Sequence, residues 1–168
     1  MSRAFVKEPD GDQAEDDLPD LPQSDEPNYI TLNGFNMLQN KYKQLLDQKI
    51  LFSAGKENLT AKTEVKQVER DLRYLKQRLE RTIVVDPSTQ SNDQIRFGAT
   101  VTVLDEDDQI MQFTIVGEDE TCAATGRISW SSPLGRALIG KQQGDIVYLE
   151  RPVGNIELEI KSYQYEWI

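Results

Sequence analysis

Ser129-Trp130-Ser131-Ser132-Pro133-Leu134-Gly135-Arg136-Ala137-Leu138-Ile139-Gly140-Lys141-Gln142-Gln143-Gly144 is the stretch whose reading decides the fold. Ser132 is a good helix-capping residue, Pro133 is pre-shaped for a first helical position, and Gly140-Lys141 is a stop signal. The spacing therefore predicts a short surface helix from Pro133 to Ile139, following a strand-like Gly126-Arg127-Ile128-Ser129-Trp130. Leu138 and Ile139 are expected to cover a sheet, leaving Pro133 and Leu134 directed outward, where exposed apolar groups mark a contact surface.

On either side of that helix the hydrophobic period is two. Ile95, Phe97, Ala99, Val101 and Val103 alternate with more polar positions, Asp105 to Asp108 form a turn, and Met111, Phe113 and Ile115 form the return strand. Gly126–Trp130, Ile146–Leu149 and Ile156–Ile160 supply three more strands, the last two joined by a Gly154-Asn155 turn. Residues 95–168 are thus expected to form a small antiparallel sheet with one packed helix, and residues 86–94 a linker. The fold class is α+β.

Upstream the period changes. Phe35, Leu38, Tyr42, Leu45, Lys49 and Phe52 recur at spacings of three and four, and Ala61, Val65, Val68, Leu72, Leu75, Leu79 and Thr82 repeat the rhythm. The short connection Ser53 to Asn58 makes the two helices antiparallel neighbours, with Gly55 ending the first and Asn58 or Thr60 capping the second. Residues 29–85 are read as a coiled-coil hairpin that ends where the β-branched run Ile83-Val84-Val85 meets Pro87. Outside the seam lies a basic face that includes Lys62, Lys66, Arg70 and Arg73, either simply solvated or suited to a polyanion such as nucleic acid or an acidic protein groove.

Charge is unevenly distributed over the 168 residues. The total of −10 divides into −7 over residues 1–28, +5 over residues 29–85 and −8 over the remainder. Residues 1–28 are expected to be a disordered acidic tail, since Glu8 to Pro27 offers only Leu18 and Leu21 for burial. Such a tail is a solubilising segment, a shield for the basic hairpin, or a nucleic-acid mimic. No apolar run approaches the roughly 18 residues of a membrane span, and the N-terminus lacks the apolar core of a secretory signal. A single cysteine, Cys122, suits a reducing cytoplasm. Histidine is absent, which excludes a Ser–His–Asp triad, a Cys–His nucleophile and the usual Cys/His zinc site. Only carboxylate, Lys, Tyr or Ser–Lys chemistry remains open, and no catalytic residue, metal ligand or cofactor is assigned.

The order of parts resembles the Gre transcript-cleavage factor family, GreA and GreB, of bacterial RNA polymerase. The resemblance spans Tyr29 to Ile168. It rests on Phe97-Gly98-Ala99-Thr100-Val101-Thr102-Val103, Ile115-Val116-Gly117-Glu118-Asp119-Glu120, Ile128-Ser129, Ser132-Pro133-Leu134, Arg136 to Lys141, Gly144-Asp145 and the C-terminal Ile160 to Glu166. The second arm, Val68 to Leu75, looks more like GreB. The resemblance implies a coiled-coil hairpin joined to a domain of FKBP-like fold; a monomer is the default expectation for a hairpin that pairs with itself. The resemblance also implies an RNA polymerase partner, gripped at its secondary-channel rim by Ser132, Pro133, Leu134 and Arg136, with nucleic acid of the elongation complex (DNA binding included) within reach of the hairpin.

The tip departs from that pattern. Gre factors carry an acidic tip whose carboxylates help hold a second Mg²⁺ in the polymerase, whereas this chain reads Gly55-Lys56-Glu57-Asn58. Between Asp47 and Glu64 the only acid is Glu57, beside Lys56. A lone carboxylate next to an ammonium recruits a hard divalent cation poorly. The first arm also looks shorter than a usual Gre arm, by about two heptads. The expectation is an elongation factor with weak or no stimulation of cleavage. The alternatives are an FKBP-like prolyl isomerase or chaperone, using Phe97, Phe113, Trp130 and Tyr148 as an apolar pocket, and a nucleic-acid-binding hairpin.

Overall fold

The apolar stripe with spacings of three and four builds a helical rod in a computed structural model that describes residues 17–54 and 59–165. Helix α1 (Leu32–Ala54) and helix α2 (Leu59–Glu80) pair along Leu38, Val68, Leu72 and Leu75, all buried, with Phe35, Tyr42, Leu45 and Leu79 closing the sides. Lys49 and Glu69 bridge the two helices at 2.8 Å, which fixes the antiparallel register midway along the rod. With 23 residues, α1 reaches about 34 Å at 1.5 Å per residue. Thr82, expected in the helical seam, instead begins a strand. Strand β1 (Asn28–Ile30) pairs in parallel with strand β2 (Thr82–Val84), so the chain entering the hairpin is clamped to the chain leaving it.

Five further strands form the second unit: β3 (Ala99–Leu104), β4 (Ile110–Val116), β5 (Arg127–Ser129), β6 (Ile146–Leu149) and β7 (Ile156–Tyr165). Their spatial order is β5-β4-β3-β7-β6. The α+β class stands, with one difference: β4 and β5 run parallel, and the other pairings are antiparallel. Helix α3 (Pro133–Leu138) lies across the sheet, and Leu138 joins Ile95, Val101, Val103, Ile115, Leu158 and Ile160 in a core that excludes solvent. The first strand begins at Ala99 rather than Ile95. Gly98 takes a left-handed φ of +85° in front of it, and Ile95 is held by the segment after α3 through hydrogen bonds with Lys141 and Gly140.

The acidic N-terminal segment departs from the expected free tail. Residues 1–16 lie outside the described residues, but residues 17–27 have a defined path along α2 toward α3. Leu18 and Leu21 are half-buried.

The buried polar contacts between hairpin and sheet centre on the turn Glu118–Glu120. Arg78 of α2 is buried and donates to Asp119 at 2.9 Å, to Glu118 at 3.4 Å and to Asn28 at 2.6 Å. Glu120, also buried, accepts from the Thr31 and Gly117 amides at 3.0 and 3.1 Å, from the Thr31 hydroxyl, and from Arg127 at 3.2 Å. The Thr31 hydroxyl in turn accepts the Gly34 amide of the first turn of α1. Gly34 is required because a Cβ there would sit 2.2 Å from Cδ of Glu120.

Two outcomes follow for the junction. Gly34→Ala adds about 1 kcal/mol of helix propensity but overpacks Glu120, at a cost of about 1–3 kcal/mol, plus the hydrogen bonds lost when that carboxylate moves. The variant should melt several degrees lower by circular dichroism; an unchanged or raised melting temperature would show that the carboxylate reseats freely. Arg78→Ala leaves two carboxylates facing a buried gap and should cost about 3–5 kcal/mol in urea denaturation. Adding Asp119→Ala should recover part of that loss, and strict additivity would contradict the coupling.

Candidate docking edge and hairpin face

Four residues of the α3 edge, Ser132, Pro133, Leu134 and Arg136, share one short turn. Ser132 caps α3: its hydroxyl accepts the Gly135 amide at 3.1 Å and donates to the Ser129 carbonyl at 2.7 Å. Pro133 sits at the first turn and is exposed. Leu134 differs from expectation, being half-buried and packed on the sheet core, because residues four apart share a helix face and Leu138 already faces the sheet. Arg136 is the outward group. Its Nε donates to the Ser131 carbonyl at 2.8 Å, and its guanidinium carbon lies 5.9 Å from the Trp130 ring centroid, within cation–π range. It also pairs with Glu26 of the N-terminal segment. Trp130 is braced edge-on by Tyr29 at 5.1 Å. The arginine is therefore displayed from a fixed platform, not on a loose stem.

The cations expected to form a basic face are partly paired within the molecule. Lys62, Lys66, Arg70 and Arg73 follow one side of α2 at helical spacing. Lys62 is exposed, whereas Arg70 donates to Asp71 at 3.2 Å and Arg73 donates to Asp20 at 2.8 Å and to the Leu18 carbonyl at 2.7 Å. The hydrogen bond from Arg73 to Asp20 raises the guanidinium pKa further above its ordinary value. Beside Arg73 an open groove of about 450 Å³ has Tyr42, Leu46 and Leu72 among its walls, with Asp17, Lys49 and Lys76 at its rim.

At the far end of the rod, Gly55, Lys56, Glu57 and Asn58 lie outside the described residues. The helical turns beside them can be described. The last turn of α1 carries exposed Ile50 and Leu51, and no acid lies in the first turn of α2. Among the described residues no group of three or more His, Cys, Asp or Glu is placed to hold a metal ion.

The aromatic residues weighed for an isomerase pocket do not converge. Tyr148 is 72% exposed on the edge strand β6, Phe113 and Trp130 pack against the core, and Phe97 meets Tyr29 at a tilt, ring centroids 6.2 Å apart. Among the described residues no helix is long and apolar enough to cross a membrane. Sequence reasoning missed Asp20 and Glu26, whose partners lie 53 and 110 residues away, and Trp130 as the platform beneath Arg136.

Comparison with known proteins adds to this geometry. Residues 90–165 match the family model described as transcription elongation factor, GreA/GreB, C-terminal. The chain is 39% identical over 153 residues to transcription elongation factor GreB of Neisseria meningitidis serogroup B, covering 82% of this chain and 94% of that one. It is 46% identical over 103 residues to GreA of Sphingopyxis alaskensis, covering 61% and 65%. Among solved structures, GreA factor homolog 1 of Thermus thermophilus aligns over 83% of this chain and 99% of its own, at 21% identity and a TM-score of 0.40. On the GreB match, which takes in hairpin and sheet domain together, the chain belongs to the GreA/GreB family of transcription elongation factors.

Proposed function

We propose that this elongation factor binds bacterial RNA polymerase at the rim of the secondary channel through the α3 edge. Its hairpin enters the channel and modulates backtracking, pausing or access, with weak or no stimulation of transcript cleavage. In this reading the protein is a monomeric, cytoplasmic accessory factor and the polymerase carries the chemistry. The observation that carries the docking half is Arg136, displayed over Trp130 and fixed by the Ser131 carbonyl at the end of a capped helix. Preorganised arginines of this kind lose little freedom on binding a carboxylate partner.

The character of the hairpin end supports the cleavage half. Glu57 is the sole acid between Asp47 and Glu64, and Lys56 stands next to it. Stabilising a second Mg²⁺ takes several oxygen ligands, and that donor set does not fit the task. Exposed Ile50 and Leu51 nearby suit contact with an apolar wall rather than with a cation. Length points the same way. The match to the GreB relative runs over 153 residues but takes in 82% of this chain, so about two heptads' worth of positions has no counterpart here, a difference compatible with the short first arm read from the sequence.

Binding and cleavage can be tested separately. In a pull-down with core polymerase, Arg136→Ala should weaken retention about tenfold, as loss of a well-positioned interfacial charge commonly does. On backtracked elongation complexes the wild-type protein should add little cleavage over polymerase alone, and Glu57→Ala should leave that value unchanged. Strong cleavage lost on Glu57→Ala would overturn the reading of the tip. Failure of the wild-type protein to bind polymerase would overturn the docking.

A further inference from the structure

The acidic segment before the hairpin lies on Arg136, which the docking reading uses, and on Arg73 of the basic hairpin face. Asp20 and the Leu18 carbonyl hold Arg73, and Glu26 holds Arg136. Between them Gln23 bonds Gln77 on α2, and Ser24 donates at 3.0 Å to Glu118 of the junction turn. Residues 17–27 carry Asp17, Asp20, Asp25 and Glu26, no basic residue, and prolines at 19, 22 and 27. Prolines restrict the free chain, so less entropy is lost when the segment lies down. The contacts are nonetheless weak ones. The Arg73 and Arg136 side chains stay 36% and 55% exposed, and exposed ion pairs are readily screened and exchanged.

We propose that residues 17–27 form an intramolecular mask that occupies Arg73 and Arg136 with carboxylates, so that an acidic polymerase surface must displace the segment in order to dock. The mask rests on the docking reading and adds regulation to it. Its carboxylates stand in for those of the partner, and affinity is set by competition between the two. Conditions that weaken the internal pairs more than the external ones release the edge.

The test uses the full chain carrying Asp20→Ala and Glu26→Ala together, beside a charge-matched control carrying Asp25→Ala and Glu106→Ala. Two readouts are needed. Phenylglyoxal modification of Arg73 and Arg136, mapped by mass spectrometry, should quicken in the unmasked variant and not in the control, with no polymerase present. Affinity for core polymerase should rise about three- to tenfold in the unmasked variant at low salt, with the gain fading as added salt screens the pairs. Unchanged modification rates would overturn the mask whether or not polymerase binds. Faster modification without tighter binding, in a protein whose wild type does bind, would show that the segment covers the arginines without controlling docking, which also overturns it. An equal affinity gain in the control would assign the effect to net charge and overturn it too. If no variant binds polymerase while modification quickens, the docking reading fails and the masking of docking falls with it.

Discussion

Burial of Glu120, with Glu118 and Asp119 half-buried beside it, is the constraint on which the rest of the molecule depends. Taking carboxylates out of water is tolerable only when their oxygens are matched by donors. The donors here come from everywhere: Thr31 at the start of α1, Arg78 near the end of α2, Arg127 on β5 and Ser131 before α3. Both helices are thereby tied to one turn of the sheet domain. That matters because the hairpin is a lever. Over a rod of about 34 Å, a tilt of about 5° at the base moves the far end by about 3 Å. A loosely joined rod would not carry its end to a defined place, however well its own seam packed.

Glu118 gives the junction a second role. It accepts from Ser131 at 2.9 Å, from Ser24 at 3.0 Å and from Arg78 at 3.4 Å, so the α3 edge, N-terminal segment and hairpin share one carboxylate. The half-buried Tyr74 stands in the same field, its phenol pKa raised by burial first and by the Asp119 charge second. The division of charge along the chain now has a structural counterpart. An acidic segment lies on arginines of α2 and of the α3 edge, and the basic stripe is partly neutralised from within the molecule.

The rod and most of the sheet were legible because their signals are local and periodic. Spacings of three and four mark Leu38, Leu72 and Leu75 as core, and alternation marks Val101, Val103 and Ile115. Ser132-Pro133 announces α3 for the same reason: capping chemistry lies within a few residues of what it caps. Elements set by distant partners were not legible. Strands β1 and β2 have three residues each, too few to show a period, and they form because the two ends of the hairpin must converge. Nothing local in Glu118-Asp119-Glu120 marks it as the junction, and the burial of Glu120 follows from partners up to 89 residues away. Gly34 was the available clue. A glycine inside a helical pattern costs about 1 kcal/mol against alanine, and here it marks where a carboxylate presses on the helix.

The contacts fall into two strengths, and their order explains how a rigid surface can also be exchangeable. Arg78 and Glu120 are almost wholly removed from solvent, so breaking their pairs leaves uncompensated charge and the junction holds. The pairs Arg73–Asp20 and Arg136–Glu26 are open to water, so losing them exposes nothing that solvent cannot satisfy. Trp130, Ser131 and the cap of α3 are half-buried and anchored to the sheet and to Glu118. Displacing the N-terminal segment therefore uncovers an edge that is already formed. A partner meeting Arg136 competes with one carboxylate; it does not have to build the site.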